Sequence, residues 1–212
     1  MSAPRSPVSE ALAEAAEWRL LGLLLERPRA GWWEEVASLA CEARNPELRA
    51  AADETARATE EGYLAALGPG GAVSPREVAY IGMEDPARVI ADLHALYQAF
   101  AYRPAAEDPP DHVALQAGFA GYLKLKEAYA RAKGDEAAAE TTAQALRRFV
   151  ESHLRRFAGP LARRLEAAGS GHLLQAARLL VGRVGEAIEP LPVLTDDGGS
   201  AMCCGGEEGI QQ

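Results

Sequence analysis

Apolar residues recur at intervals of three and four along most of this chain, which is the spacing of one face of an α-helix. After Asp85-Pro86, six apolar residues keep this spacing: Val89, Ile90, Leu93, Leu96, Tyr97 and Phe100. Asn45-Pro46 and Asp85-Pro86 each place a capping side chain before a proline, which is typical of a helix start. The pattern therefore predicts a series of amphipathic helices.

Capping residues, prolines and glycines divide this pattern into about eight helices. The predicted helices span residues 9–27, 31–42, 46–67, 74–81, 86–100, 110–133, 135–158 and 171–189. Ser9 is the expected cap of the first helix, and Ser74 with Glu77 has the spacing of a capping box for the fourth. Gly159-Pro160 is expected to kink or break the seventh helix, after which the apolar pattern continues to residue 169.

The composition places these helices in one domain. Alanine and leucine dominate the hydrophobic 48% of the chain and only 6% of residues are aromatic, so helix formers outnumber strand formers. No linker-like stretch divides the 212 residues into two cores. We expect an all-α, single-domain helical bundle over residues 1–195 and a disordered, Gly-rich tail over residues 196–212.

The charge and the cysteines narrow the functional classes. A formal net charge of −9 argues against a nucleic-acid surface and leaves a cationic peptide as a partner. The three cysteines form no disulfide framework, which fits a cytoplasmic protein. The apolar run Leu20–Leu25 makes only about a turn and a half of helix. We expect it in the core, and we expect no stable membrane insertion.

The candidate chemistry lies at the start of the sixth predicted helix. Pro110 is expected to be the first helical residue, because no amide donor is required there. Glu107, Asp108 and Asp111 would then surround the positive end of the helix, with His112 in its first turn. On residue chemistry alone, helix capping is the favoured interpretation of these carboxylates.

Other candidate sites have less support. The Gly-rich loop 68–74 lacks the lysine of a phosphate-binding loop and a preceding strand. None of the four histidines pairs with a cysteine at metal-ligand spacing, and His153 lies on an apolar face where core packing with a hydrogen bond is expected. Cys203-Cys204 offers two thiols and no further ligand. We therefore expect neither a metal site nor a cofactor.

The sequence Pro110-Asp111-His112, preceded by acidic residues, resembles the signature of the TorD/DmsD/NarJ family of molybdoenzyme chaperones. Gln116-Ala117 stands where that signature has a Glu-Leu pair. Further segments resemble the family in the same order, namely the aromatic-bearing helix before the motif, Gly134-Asp135, and His153-Leu154. The resemblance covers the chain from about Ser74 to Leu165.

The resemblance implies a chaperone of the cytoplasm that catalyses no reaction. Such proteins bind the N-terminal leader, often a twin-arginine leader, of the apo catalytic subunit of a molybdoenzyme of the DMSO reductase superfamily. They hold this subunit until the molybdenum cofactor is inserted, before assembly or export. Some relatives exchange helices to form dimers, so a monomer or a helix-swapped dimer is expected, with the connection 101–110 as a candidate hinge.

A receptor for such a leader needs carboxylates beside an apolar groove, because the leader joins a cationic head to an apolar stretch. By the resemblance, Asp111 pairs with a leader cation or fixes the loop at the helix start, and His112 hydrogen-bonds to the peptide backbone. The predicted leader-binding residues are Asp111, His112, Glu107, Asp108, Gln116, Phe119, Tyr97 and Phe100. The apolar groove is expected to be lined by Tyr97, Phe100, Leu115 and Phe119.

Two other functions stay open on the sequence. A nucleotide hydrolase would use Asp111 and His112 as acid and base, but it needs a third catalytic residue that the sequence does not reveal. A structural helical adaptor subunit of a redox complex would stay permanently bound to its partner. Copurification separates the chaperone from the adaptor, because only the chaperone releases its partner.

Overall fold

The structure, a computed structural model, describes residues 6–104 and 108–186. These residues form α-helices and no β-strand, which confirms the all-α prediction. The helices are α1 (Pro7–Leu24), α2 (Trp32–Glu42), α3 (Pro46–Glu54), α4 (Glu60–Leu67), α5 (Pro86–Ala99), α6 (Val113–Ala132), α7 (Glu136–Phe149), α8 (Arg155–Ala167) and α9 (Gly171–Val184). A π-helical turn, Val150–Leu154, joins α7 to α8 without a break, so the described chain contains eight separate helices.

The helices α1 and α6 lie at the centre of the fold, and their backbones are in close contact. A Cβ atom on Gly22 of α1 would lie 3.1 Å from the Ala114 carbonyl oxygen of α6. A Cβ atom on Gly121 of α6 would lie 3.1 Å from the Ala15 carbonyl oxygen of α1. Glycine is needed at both positions because a side chain would push the helices apart. The run Leu20–Leu25 is buried beside this contact, as expected for a core segment.

The starts of α1 and α4 differ from the sequence prediction. Ser6 rather than Ser9 caps α1, and its hydroxyl accepts a hydrogen bond from the Ser9 amide at 3.2 Å. The predicted helix 46–67 is divided into α3 and α4, because Thr59 has an extended backbone and caps α4 by accepting from the Gly62 amide at 3.0 Å. Side chains that bond the nearby backbone compete with a continuous helix, and apolar spacing does not reveal this competition.

The connection between α4 and α5 is not the fourth predicted helix. It contains only the 3-10 turn Glu77–Ala79, because its backbone pairs with the start of α6. The Glu77 amide donates to the Asp111 carbonyl oxygen at 3.0 Å, and the Val113 amide donates to the Pro75 carbonyl oxygen at 2.9 Å. These bonds fix the connection against the beginning of α6, where the sequence motif lies.

Of the two outcomes expected at Gly159-Pro160, the break does not occur, because both residues lie inside α8. The irregular winding occurs earlier, in the π-helical turn Val150–Leu154. Such turns insert one residue into a helix and are frequent at functional sites. Here the turn contains His153, which reaches the polar cluster described below.

Several of the sequence predictions fall partly or wholly outside the described residues. The predicted tail 196–212 with Cys203 and Cys204 lies outside them, as does the end of the predicted helix 171–189. The candidate hinge 101–110 includes three residues that the structure does not describe. Within residues 6–104 and 108–186, no helix combines the length and the apolar character needed to cross a membrane.

Candidate functional site

Asp111, the centre of the predicted motif, is completely buried. Its carboxylate accepts hydrogen bonds from Arg76 Nε at 2.9 and 3.2 Å and from the Val78 amide at 3.3 Å. Arg76 Nη2 also lies 2.9 Å from Asp111 Oδ1. Asp111 thus holds the connection before α5 against the start of α6. The predicted pairing of Asp111 with a leader cation requires an exposure that this side chain does not have.

His112 caps α6 and does not lie in its first turn as predicted, because the helix begins at Val113 and not at Pro110. The ring Nδ1 accepts a hydrogen bond from the Ala114 amide at 3.1 Å. The ring Nε2 therefore carries the proton and donates to the Tyr63 hydroxyl, also at 3.1 Å. Both ring nitrogens are thus bonded within the protein.

Burial fixes the protonation state of His112. Removal from water lowers the pKa of this histidine, and the negative charges of Asp108 and Asp111 only partly oppose that effect. The ring is therefore neutral in the fold at neutral pH. A neutral ring is what the cap requires, because a protonated Nδ1 accepts no hydrogen bond.

A second buried cluster surrounds Glu77, which has no solvent exposure. His153 Nδ1 lies 3.1 Å from both carboxylate oxygens of Glu77, as expected for a core histidine with a hydrogen bond. Gln116 Nε2 donates to Glu77 Oε2 at 2.8 Å and to the Asp111 carbonyl oxygen at 3.3 Å. Gln116 Oε1 is buried without a partner in the part of the chain that the structure describes. We call Arg76, Glu77, Asp111, His112, Gln116 and His153 the buried polar network.

The environment of Glu77 explains why a glutamine suits position 116. The amide nitrogen of Gln116 lies 2.8 Å from a carboxylate oxygen of Glu77, and both residues are fully buried. A glutamate there, as the resembled signature has, would face Glu77 with a second negative charge. The departure at Gln116 is therefore compatible with this packing, and the amide supplies the donor that Glu77 needs.

The aromatic residues predicted to line a groove belong to the core instead. Tyr97 and Phe119 are buried with ring centroids 4.8 Å apart, and the Tyr97 hydroxyl donates to the Pro110 carbonyl oxygen at 2.8 Å. Phe100 is half-buried against this cluster. Of the apolar residues proposed for the groove, only Leu115 lines the cleft described next. A direct role of the aromatic residues in leader binding stays a prediction.

A cleft of about 1090 Å³ opens beside the first half of α6. One wall is α1, and the other walls are the α1–α2 connection, the first residue of α4 and the residues on either side of the undescribed segment 105–107. Its apolar and small lining residues include Leu12, Ala15, Ala16, Leu39, Ala114, Leu115, Gly118, Gly121, Tyr122 and Leu125. Leu12 and Leu125 are 46% and 49% exposed, so the cleft offers accessible apolar surface.

Four charged residues form a fixed cluster at the cleft wall. Arg29 Nη1 lies 2.7 Å from Glu35 Oε1, and Arg19 bonds both Glu26 and, at 3.4 Å, Glu35. The hydrogen bond from Arg29 contributes most to holding the pKa of Glu35 below its usual value. Each charge in this cluster has at least two partners, so the cluster resists displacement by a ligand.

A separate ion pair and a second acid lie in the same cleft. The guanidinium of Arg27 pairs with the carboxylate of Glu60, and both side chains are more than half exposed. Asp108 also lines the cleft. The structure thus separates the predicted acidic trio: Asp108 faces the cleft, Asp111 belongs to the core, and Glu107 lies outside the described residues.

Several residues of this site were not predicted from the sequence. Arg76 and Glu77 were not connected with the motif, although a buried aspartate next to a histidine signals the need for a partner elsewhere. Arg27 and Glu60 gave no signal, because their meeting depends on the tertiary fold. The glycines at 118 and 121 were a usable signal, since glycine inside a helix often marks a close backbone approach. Among the described residues, no cluster of histidine, cysteine and acidic side chains could hold a metal.

The comparison with protein families agrees with this architecture. A family model described as "Nitrate reductase delta subunit" matches residues 27–163, which is more than half of the chain. The protein therefore belongs to the nitrate reductase delta subunit family, a family of molybdoenzyme maturation chaperones of the NarJ/TorD type. The match includes the motif around Asp111 and confirms the resemblance seen in the sequence. No curated protein and no solved structure matches the chain.

Proposed function

We propose that this protein is a cytoplasmic chaperone that binds the leader of an apo molybdoenzyme catalytic subunit in the cleft beside α6. It holds that subunit until the molybdenum cofactor is inserted. Membership of a maturation chaperone family supports the class of function. The observation that carries the binding mode is one cleft of about 1090 Å³ that combines accessible apolar side chains with carboxylates.

The chemistry of the cleft suits a leader peptide. The apolar stretch of the leader packs on Leu12 and Leu125, which removes apolar surface from water on both sides. The cationic head lies near Glu60 and Asp108, and the net charge of −9 draws it to the protein. This assignment moves the contact surface from the buried motif to the cleft next to it.

Asp111 and His112 serve the site as positioning residues in this proposal. Their hydrogen bonds fix the first turn of α6, and Ala114 and Leu115 of that turn line the cleft. The motif therefore acts on the leader through the helix it holds in place. Neither side chain contacts the peptide.

The proposal includes no catalytic step. The family is a chaperone family and not a catalytic one. The hydrolase alternative needs Asp111 and His112 as acid and base, yet the carboxylate and both ring nitrogens are bonded inside the core. Neither group lines the cleft, so neither reaches a substrate there.

Copurification tests the proposed function. The full chain is expressed with a molybdoenzyme catalytic subunit in cells that cannot make the molybdenum cofactor. We expect the apo subunit with its unprocessed leader to copurify, and we expect loss of the complex when the leader is deleted or when cofactor synthesis is restored. A complex that persists in the presence of cofactor would support the adaptor function and contradict the chaperone.

Leu125→Asp tests the cleft itself. The probe is a synthetic peptide in which two adjacent arginines precede an apolar stretch, and its affinity is measured by titration calorimetry. We expect binding to weaken by about tenfold or more, because a charge replaces an apolar contact. Met83→Asp is the matched control, since Met83 is an exposed apolar residue outside the cleft. Equal affinities of the two variants would place the binding surface elsewhere.

A further inference from the structure

The glutamates that line the cleft are already paired with arginines of the same chain. Glu26 pairs with Arg19, and Glu60 pairs with Arg27. A peptide cation that binds one of these carboxylates must therefore compete with a resident guanidinium. The two pairs differ in how easily that competition succeeds.

The pair of Glu26 is embedded in the fixed charge cluster. Its side chain is only 11% exposed, and both Arg19 and Arg29 approach it. Displacing either arginine would disturb Glu35 as well. A ligand gains little by breaking a cluster whose members satisfy one another.

The pair of Glu60 is not part of that cluster, and Asp108 is a further negative charge near Arg27. The side chains of Arg27 and Glu60 are 55% and 54% exposed, and Arg27 has no other side-chain hydrogen bond among the described residues. The pair joins the α1–α2 connection to the first residue of α4, two separate walls of the cleft. Exposed ion pairs of this kind contribute little to stability, so the fold tolerates their loss.

We propose that Arg27 is an internal competitor of the leader for Glu60. Its guanidinium pairs with Glu60 in the free protein, and an arginine of the leader replaces it on binding. This inference rests on the proposed function. The displaced Arg27 side chain becomes solvated, and the leader arginine bonds Glu60 beside Asp108. The exchange favours leaders with arginine over lysine, because a planar guanidinium reproduces the bonds of the group that it replaces.

The competition sets a threshold for cationic ligands. A single positive charge that binds Glu60 gains no net ion pair, because it takes the place of one already formed. A leader whose apolar stretch also packs in the cleft obtains the additional free energy that the exchange requires. Arg27 thus favours the binding of peptides that combine a cationic head with an apolar stretch over the binding of cations that lack the apolar stretch.

The affinity of the synthetic arginine peptide for four variants of the full chain tests this inference. We expect Arg27→Gln to bind about two- to fivefold more tightly than the wild type, because the exposed pair no longer competes. Glu60→Gln should bind more weakly. Arg49 is an exposed arginine outside the cleft, and Arg49→Gln is the control. Relative to Glu60→Gln, the double variant Arg27→Gln/Glu60→Gln should gain no more affinity than Arg49→Gln gains relative to the wild type. When lysines replace the two arginines of the peptide, Arg27→Gln should increase its affinity by a smaller factor.

The outcomes separate this inference from the proposed function. If Glu60→Gln weakens binding but Arg27→Gln does not strengthen it, the internal competitor is wrong and the cleft remains the binding site. If Arg27→Gln strengthens binding equally with and without Glu60, the effect is one of net charge and the inference is also wrong. If the peptide binds neither the wild type nor Arg27→Gln, the proposed function fails together with the inference.

Discussion

The two sides of the beginning of α6 are built in opposite ways. On one side, Asp111, Gln116 and Glu77 form a polar network without solvent exposure. On the other side, Leu115 and Gly118 line the buried wall of a cleft whose exposed apolar side chains are Leu12 and Leu125. The motif that resembles the chaperone signature lies on the closed side, whereas the surface accessible to a peptide lies on the open side. In the proposed function, a signature residue therefore contributes to leader binding by fixing a wall of the cleft. The following predictions test this difference between the two sides of α6.

The largest effect is expected for Asp111→Ala. The substitution removes the partner of Arg76 and of the Val78 amide, and we expect a loss of about 2–3 kcal/mol in the free energy of unfolding. The value stays in this range because the Arg76 side chain is 40% exposed and can be solvated. Urea denaturation measures it. A variant with unchanged stability and no peptide binding would show that Asp111 contacts the leader directly.

The next effect is expected for Gln116→Glu. The introduced carboxylate would face Glu77 at the position where the amide nitrogen now lies 2.8 Å away, and we expect a loss of about 2 kcal/mol at neutral pH. Repulsion raises the pKa of the introduced carboxyl in the folded state, so the loss should decrease as the pH falls. Gln98→Glu, on an exposed position of α5, is the control. A loss that grows on acidification would contradict this account.

A smaller effect is expected from the titration of His112. Burial lowers its pKa below the ordinary value of 6.5, so the unfolded chain takes up a proton as the pH falls through that value while the folded chain does not. The free energy of unfolding should therefore fall on acidification below about pH 6.5. His112→Asn keeps a capping side chain and should make this slope shallower.

The exposed His94→Asn serves as the control for that measurement. Urea denaturation at several pH values gives the slope for each protein. A slope that His112→Asn leaves unchanged would mean that other groups cause the pH dependence.

The smallest effect on stability is expected for Asp108→Asn. This side chain lines the cleft and is not part of the buried polar network, so the free energy of unfolding should change by less than about 0.5 kcal/mol. Its effect should appear in peptide affinity, which we expect to fall. The opposite pattern, lower stability with unchanged affinity, would remove the difference between the two sides of α6.

Helix content was predictable from the sequence because apolar spacing and capping residues are local signals. Asp85 caps α5 as predicted, and the run Leu20–Leu25 is buried as predicted. The split at Thr59 was not predictable from spacing, since a capping hydroxyl leaves the apolar pattern unchanged. The same holds for the connection around Glu77, whose conformation is set by α6 and not by its own sequence.

The candidate site was predictable in position but not in exposure. Asp111 and His112 lie directly before α6 and not within its first turn as predicted, and their burial depends on Arg76 and Tyr63, which lie 35 and 49 residues away in sequence. The pairing of Arg27 with Glu60 likewise joins positions 33 residues apart. Such contacts arise from tertiary packing, and a single sequence contains no local pattern that reports them.

The close contact of α1 and α6 at their glycines limits how the cleft could adapt to different leader peptides. Ala15, Gly118 and Gly121 line the cleft where the backbones of α1 and α6 are in close contact, so this part of its surface has few side chains that could rearrange. Under the proposed function, this part would be a rigid template to which a bound segment must conform. Adaptation to a new client would then fall to the rim, where substitutions leave the shape of the template intact.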